Sequence, residues 1–298
     1  MANGIKLETV APALFVLIWS TGWIVAKYVS FNADPLTFLA YRFFIAIFVF
    51  AAIALLMKAE WPTTLTGWLH GVFSGVLLHG VYLGGIWWAI NEGVPASISG
   101  VLAAIQPLLT AAIAYWAVKE RLAGNQKLGL VLGFIGLIIA IGPSLSLLDR
   151  SSLGTSLLPL GANVLSMIAV TLGTIYQKRF LQEGDLIPIA GIQFFGGFIF
   201  ILPFAMLLEP MHVDWNTQSI LAMIWSVLGL SLGAITLLLF LIRQGQVSRA
   251  ASLIYLIPAV VGIEAWLLFG EEISAPFVLG TIIVVIGVWL VNRKPKIP

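Results

Sequence analysis

Ten runs of about 20 mostly apolar residues follow one another along this chain of 298 residues. A helix of about 20 residues spans the roughly 30 Å hydrocarbon core of a bilayer. Hydrophobic residues make up 60% of the chain and charged residues 9%, whereas soluble domains carry about 25% charged residues. The run 128–141 lacks the alternation of apolar and polar residues that a membrane β-strand needs. The sequence therefore predicts an all-α polytopic membrane protein.

The ten predicted transmembrane helices divide equally between two halves of the chain. In the first half they cover approximately residues 9–26, 35–56, 67–90, 95–118 and 128–148. In the second half they cover approximately residues 153–177, 187–208, 219–241, 249–269 and 276–291. The connecting loops are short, so we expect functional groups to lie within the membrane or in these connectors.

The two halves are diverged copies of one another at a constant offset of 151 residues. The offset relates Ser97 to Ser248, Pro107 to Pro258, Glu120 to Glu271, Gly129 to Gly280, and Gly136 to Gly287. An odd number of helices in each half inverts the second copy relative to the first, a plan that recurs among secondary transporters. We therefore predict a first five-helix repeat over residues 1–148 and a second, inverted five-helix repeat over residues 149–298.

Loop charges indicate the orientation of the predicted helices. With both termini on one side of the membrane, that side carries twelve basic residues and the other side carries two, Lys27 and Arg150. The twelve are Lys6, Lys58, Lys119, Arg121, Lys127, Lys178, Arg179, Arg243, Arg249, Arg293, Lys294 and Lys296. Because basic residues concentrate in cytoplasmic loops, the sequence predicts that both the N and C termini are cytoplasmic.

Several classes of protein find no support in the sequence. The net charge of +2 comes without a basic cluster, so no nucleic-acid partner is expected. The chain lacks cysteine and its three histidines are scattered, so we expect no metal site and no cofactor. Zinc-protease and phosphate-loop motifs are absent. An integral-membrane enzyme acting on a lipid or isoprenoid substrate is the alternative to a transporter, and an assembly subunit is a third possibility.

A set of short motifs resembles a known family. The motifs are WSTGW at residues 19–23 followed by Lys27, the stretch from Asp34-Pro35 to Tyr41-Arg42, Pro107, and Glu120 with Gly129 repeated as Glu271 with Gly280. In this order and duplicated, they resemble the drug/metabolite transporter superfamily of the EamA type. Within it, the chain is similar to bacterial inner-membrane exporters of aromatic and other amino acids.

This resemblance implies a function and a location. The expected function is secondary export, or facilitated passage, of amino acids and related small amphiphilic metabolites. It implies alternating access through a central cavity between the repeats, in a multi-pass protein of the bacterial inner membrane. The expected partners are a small-molecule substrate and the lipid bilayer, and the expected state is a monomer.

Polar side chains within the predicted helices indicate a substrate site. Such side chains are costly in lipid and usually face a bundle interior or a wet cavity. The candidates for substrate binding are Trp19, His79, Tyr82, Gln106, Asn163 and Tyr255. The alternative is that these groups join helices through hydrogen bonds, and hydroxyls such as Ser166 and Thr174 could bond their own backbone.

Two charged residues fall inside predicted helices and are candidates for coupling or gating. Arg42 lies about two turns into the second helix, and its side chain could instead extend to the interface. Glu264 lies in the ninth helix, where it could carry a proton or form a structural pair. Trp87 and Trp88 are expected to face lipid or the membrane interface.

Overall fold

The computed structural model describes residues 7–118, 124–146, 153–181, 185–234, 237 and 256–292. In the first half these residues form α1 Leu7–Val29, α2 Pro35–Leu56, α3 Leu65–Gly75, the π-helical segment π1 Val76–Val81, α4 Tyr82–Asn91, α5 Ala96–Ala103, α6 Gln106–Val118 and α7 Gly124–Ser146. In the second half they form α8 Leu153–Phe180, α9 Leu186–Leu208, α10 Thr217–Ile224, the π-helical segment π2 Trp225–Gly233, α11 Ile257–Phe269 and α12 Ala275–Asn292. Within the described ranges the fold is all-helical, as predicted, apart from one isolated bridge between Ala33 and Val213.

The helices have the length and composition of membrane-spanning segments. Five described segments are long and apolar enough to cross a membrane: Pro35–Leu56, Leu65–Asn91, Gly124–Gly142, Leu157–Phe180 and Leu186–Leu208. Five shorter apolar helices, of 10 to 17 residues, accompany them. Within the described residues the predicted helix positions are occupied by helices, while the count of ten crossings and the side of the termini stay predictions.

Two compact units make up the chain, and each combines parts of both sequence halves. Unit 1 comprises Met1–Val25, Pro95–Leu153 and Leu228–Pro298. Unit 2 comprises Ala26–Val94 and Gly154–Val227.

In unit 1, α7 and α12 approach so closely that their backbones touch at glycines. A Cβ atom on Gly129 would lie 2.5 Å from the carbonyl oxygen of Gly287, and one on Gly136 would lie 2.7 Å from that of Gly280. As α7 proceeds from 129 to 136, its partner on α12 goes back from 287 to 280, so the two helices are antiparallel. Gly280 and Gly287 are the repeat equivalents of Gly129 and Gly136, which makes the contact reciprocal between the copies.

Unit 2 contains a second antiparallel pair of repeat-equivalent helices, α2 and α9. Gly197 faces the ring of Phe43, and Gly191 faces Phe50. Phe43 and Phe194 are equivalent under the offset of 151 and contact each other, with ring centroids 5.9 Å apart. The antiparallel packing of equivalent helices in both units is the arrangement that inverted copies require.

Helix irregularities also occur at equivalent places in the two copies. The fourth predicted helix is broken at Ala104 and Ile105, and α6 then begins at Gln106, immediately before Pro107. In the second copy α11 begins at Ile257, immediately before Pro258. Proline cannot donate a backbone hydrogen bond and clashes with the preceding turn, so it is favoured in the first turn of a helix. Both prolines lie at the second position of a helix, at equivalent places in the two copies.

A carboxylate closes the N-terminus of one helix in each unit. In unit 1, Glu271 accepts hydrogen bonds from the backbone N–H groups of Ala96 (2.9 Å) and Ser97 (3.0 Å), and from the Ser97 hydroxyl (2.5 Å). These bonds satisfy backbone donors that have no partner inside α5. Glu271 therefore has a structural role at the start of α5.

In unit 2, Glu209 has the same role for α2. It accepts from the backbone N–H groups of Leu36 (2.9 Å) and Thr37 (2.8 Å) and from the Thr37 hydroxyl (2.8 Å). Glu209 lies just beyond the end of α9, and burial raises its pKa above the ordinary carboxyl value, although the three hydrogen bonds oppose that shift.

Candidate functional site

A buried arginine lies in the interior of unit 2. Arg42 is only 5% exposed, and its guanidinium lies 5.9 Å from the ring centroid of Trp87. Trp87 is 1% exposed and stacks on Phe38 with centroids 5.9 Å apart. The expectation that Trp87 faces lipid or the interface is therefore wrong, because the ring serves as a packing surface for a buried cation. Arg42 packs inside unit 2 instead of extending to the interface.

His79 lies beside this cation, on the π-helical segment π1. Its ring stacks on Phe194 with centroids 4.3 Å apart and planes 12° apart, and it lies 5.9 Å from the ring of Phe43. The Nδ1 atom is buried without a hydrogen-bond partner in the structure. Because π-helical segments frequently occur at functional sites, His79 remains a strong candidate.

The other predicted site residues of unit 2 lie on adjoining elements. Tyr82 begins α4, immediately after π1, and is partly buried. Asn163 on α8 is fully buried. The hydroxyls on the same helix have structural roles: Ser166 lies 2.9 Å from the carbonyl oxygen of Ala162 and Thr174 donates to that of Val170 at 2.7 Å. For these two hydroxyls the backbone-bonding alternative is confirmed.

Unit 1 contains two of the predicted substrate residues. Trp19 on α1 is partly buried and packs on Phe15 with centroids 5.4 Å apart. Gln106 is partly buried and occupies the first position of α6, at the break in the fourth predicted helix. Tyr255 lies outside the described residues. The structure thus groups His79, Tyr82 and Asn163 in unit 2, and Trp19 and Gln106 in unit 1.

Glu264 on α11 has a partner that sequence reasoning missed. The Ser20 hydroxyl, fully buried on α1, lies 2.9 Å from Glu264 Oε1. The other carboxyl oxygen, Oε2, is buried and has no hydrogen-bond partner in the described part of the chain. Ser20 belongs to the WSTGW motif, whose run of polar residues inside an apolar helix was the available signal.

Other functional contacts had weaker signals in the sequence. His79 and Phe194, whose rings stack, are far apart in the chain. The one available signal was that Phe43 and Phe194 are equivalent under the repeat, which relates α2 to α9. Among the residues that the structure describes, no three His, Asp or Glu side chains are arranged to hold a metal ion.

Two segments of the chain match the same family model. The EamA-like transporter family matches residues 10–142 and 159–293. The ends of these matches, 142 and 293, are separated by the same 151 residues as the sequence repeat. The chain belongs to the EamA-like transporter family.

Named relatives extend over nearly the whole chain. A Bacillus subtilis protein named "Uncharacterized transporter YvbV" is 25% identical over 95% of this chain and 91% of its own length. A Salmonella typhimurium protein named "Probable amino-acid metabolite efflux pump" is 26% identical over 93% of this chain and 92% of its own length. An Escherichia coli protein of the same name is 23% identical over 96% and 94%.

A solved structure shares the fold. It is described only as "Crystal structure of protein", and it superimposes with a TM-score of 0.66 at 18% identity, covering 97% of this chain and 98% of its own. Together with the apolar helices, the family match identifies a multi-pass membrane transporter. The resemblance predicted from the sequence motifs is therefore confirmed at the level of the family.

Proposed function

We propose that this protein is a secondary exporter, or facilitator, of amino acids and related small amphiphilic metabolites, with aromatic amino acids among its substrates. The observation that carries the proposal is the buried group of Arg42, His79 and their aromatic neighbours, Trp87 and Phe194, in a chain of transporter fold. The names of the Salmonella and Escherichia relatives support amino-acid metabolites as the substrate class.

The chemistry of these side chains suits an amino acid. A guanidinium is a good partner for a carboxylate, and positive charge near His79 would attract that end of the substrate. The imidazole of His79, the phenols of Tyr82 and Tyr255, and the amides of Gln106 and Asn163 would hydrogen-bond the polar ends, while Trp19 would contact the apolar part. Arg42 would govern access of the carboxylate to the site, which is a gating role.

The same proposal includes the membrane topology. Ten helices would cross the bacterial inner membrane in two inverted repeats, with both termini in the cytoplasm, and the substrate would move by alternating access. The charge difference of twelve to two between the two sides supports this orientation, and the antiparallel packing of α7 with α12 supports the inversion.

Transport by purified protein in liposomes tests the proposed function. Proteoliposomes loaded with unlabelled phenylalanine are expected to exchange it for external radiolabelled phenylalanine faster than protein-free liposomes. Unlabelled amino acids added outside identify the substrates by competition. Protein that is correctly folded yet exchanges none of the amino acids tested would contradict the proposal.

Two amide variants and one control test the proposed site. Gln106→Ala and Asn163→Ala should each raise the half-saturating substrate concentration about two- to tenfold, because one polar contact contributes about 0.5 to 1.5 kcal/mol. Asn125→Ala removes an amide that bonds the carbonyl oxygen of Leu290 at 3.4 Å, and its transport should be normal. Normal transport kinetics in both folded site variants would show that the site is wrong.

A further inference from the structure

The hydroxyl of Ser20 has two oxygen neighbours but only one hydrogen to donate. It lies 2.9 Å from the backbone carbonyl oxygen of Leu17 and 2.9 Å from Oε1 of Glu264. The carbonyl oxygen can only accept a hydrogen bond. An ionised carboxylate can also only accept. One hydroxyl hydrogen can align fully with only one of these two acceptors, whereas both contacts are full hydrogen bonds when the carboxyl group of Glu264 is protonated and donates to Ser20, which in turn donates to Leu17.

The second carboxyl oxygen leads to the same conclusion. Oε2 of Glu264 is buried and has no hydrogen-bond partner among the residues that the structure describes. A carboxylate would leave this oxygen charged and unsolvated, which carries a large penalty in an apolar environment. The neutral acid leaves only a carbonyl oxygen there, and its penalty is much smaller. The observed arrangement therefore fits a glutamic acid that holds a proton.

No other ionisable side chain balances the charge of Glu264 on the described elements packed around it. On α11 it is the sole ionisable residue, and neither α5 nor α12 contains one. On α1, no ionisable side chain lies between Glu8 and Lys27. The carboxylate of Glu271, which follows the end of α11, accepts a hydrogen bond at the N-terminus of α5. A carboxylate at position 264 would thus lack a described counter-ion.

We propose that Glu264, together with Ser20, is a proton-binding site through which substrate export is coupled to proton entry. This inference rests on the proposed function and deepens it, because it makes the protein a proton antiporter. Glu264 binds a proton from the external side, carries it as the neutral acid bonded to Ser20, and releases it where water reaches the site from the cytoplasm. One proton enters the cell for each occupation of the site, and the carboxyl group is regenerated unchanged.

The test uses a pH gradient to drive accumulation. Proteoliposomes are prepared one pH unit more acidic inside than outside, with equal potassium and valinomycin on both sides to hold the voltage at zero. Wild-type protein should accumulate radiolabelled phenylalanine up to about tenfold, since one pH unit on one proton corresponds to a factor of ten in an equilibrium. Entrapped pyranine should report proton efflux when phenylalanine is added outside.

Glu264→Gln is the decisive variant, because the amide is neutral and can still donate to Ser20. It should exchange phenylalanine across the membrane at near wild-type rate, yet show no accumulation and no pyranine signal. Glu272→Gln is the matched control: it is the same substitution at an exposed carboxylate eight residues further along, and it should accumulate phenylalanine as wild type does.

Accumulation by Glu264→Gln equal to wild type would overturn the proposal. So would a wild-type protein that exchanges phenylalanine but does not accumulate it under the gradient, in which case the exporter assignment stands and only the coupling fails. Absence of phenylalanine exchange by the wild-type protein would instead contradict the proposed function itself.

A second measurement needs no variant. Dicyclohexylcarbodiimide adds only to protonated carboxyl groups, forming a stable N-acylurea in apolar surroundings. Mass spectrometry of wild-type protein treated at pH 7 should locate the adduct on Glu264 and none on Glu272. Protein that is active in exchange but carries no adduct on Glu264 would contradict the protonated state from which the proposal starts.

Discussion

At the scale of single residues, two glutamates hold helix ends that they do not belong to. Glu271 bonds the start of α5 and Glu209 bonds the start of α2. Both targets have the same local sequence, a proline followed two residues later by a hydroxyl residue: Pro95 with Ser97, and Pro35 with Thr37. The proline is the first residue of α2 and the residue immediately before α5, and the carboxylate accepts hydrogen bonds from the next two backbone N–H groups and from the hydroxyl. The helix start is thereby fixed by a residue distant in the chain.

Removing the Glu271 carboxylate should lower stability. Glu271→Ala leaves two backbone N–H groups and the Ser97 hydroxyl without their partner, and we expect a loss of about 1 to 3 kcal/mol. Glu272→Ala changes the neighbouring exposed glutamate and should have an effect within about 0.5 kcal/mol. Thermal unfolding in detergent, followed by tryptophan fluorescence, measures both. Equal effects of the two substitutions would contradict the capping role.

The interpretation of single residues from the sequence succeeded where the residue type alone indicates the environment of the side chain. A polar residue such as Asn163 in an apolar helix indicated burial. The interpretation failed where the environment of a side chain depends on a contact with a residue distant in the chain. Nothing in the sequence near Trp87 shows that Arg42 lies over its ring, and nothing near Glu264 names Ser20 as its neighbour.

At the scale of helices, the close approach of α7 and α12 depends on residues without side chains. Backbone atoms of α12 occupy the positions where Cβ atoms on Gly129 and Gly136 would lie. Apolar packing alone cannot join helices in lipid, because lipid tails are equally apolar. Contact between backbones provides the van der Waals attraction that remains.

One substitution and one control on the same helix test this packing. Gly136→Ala places a methyl group 2.7 Å from the Gly280 carbonyl oxygen, so α7 and α12 must separate, and we expect a loss of about 1 to 3 kcal/mol. Gly142→Ala places its methyl group where no atom lies within 4 Å, and it should be neutral or stabilising by up to about 1 kcal/mol. Thermal unfolding in detergent compares the two. A Gly142→Ala variant as unstable as Gly136→Ala would contradict the assignment.

Helix positions could be predicted because their causes lie in the local sequence. The second predicted helix, 35–56, matches α2 in full, and Pro107 marks the start of α6. The π-helical segments could not be predicted, since one extra residue per turn leaves no compositional trace. Their positions are nevertheless related: the offset of 151 carries Val76 to Val227 and Val81 to Leu232, both within π2. The same offset carries His79 to Leu230, so only the first copy has an imidazole there.

At the scale of the whole molecule, helices that are equivalent under the sequence repeat pack against each other. Equivalent helices pack antiparallel in unit 1 and in unit 2. The loop charges follow the same inversion: Lys119 and Arg121 in the first copy correspond to Gly270 and Glu272 in the second. The loss of positive charge is what the positive-inside rule predicts for a loop on the external side.

Single cysteines test the topology directly, since the chain has no native cysteine. In whole cells, a cysteine at Ser151 should react with a membrane-impermeant maleimide, because this position is predicted to be periplasmic. A cysteine at Ala123 should react only after the membrane is permeabilised. Reaction of both positions from the same side would contradict the ten-helix inverted arrangement.

The reciprocal glycine contact has a consequence for how this protein can change. In a symmetric homodimer, one substitution at such a contact would appear at both ends of the crossing and would weaken it twice. Within one chain, Gly129 meets Gly287 and Gly136 meets Gly280 as two separately encoded sites. Either end can vary while the other still holds the helices together. The fused arrangement therefore permits the two copies to specialise, as Tyr115 and its counterpart Trp266 have.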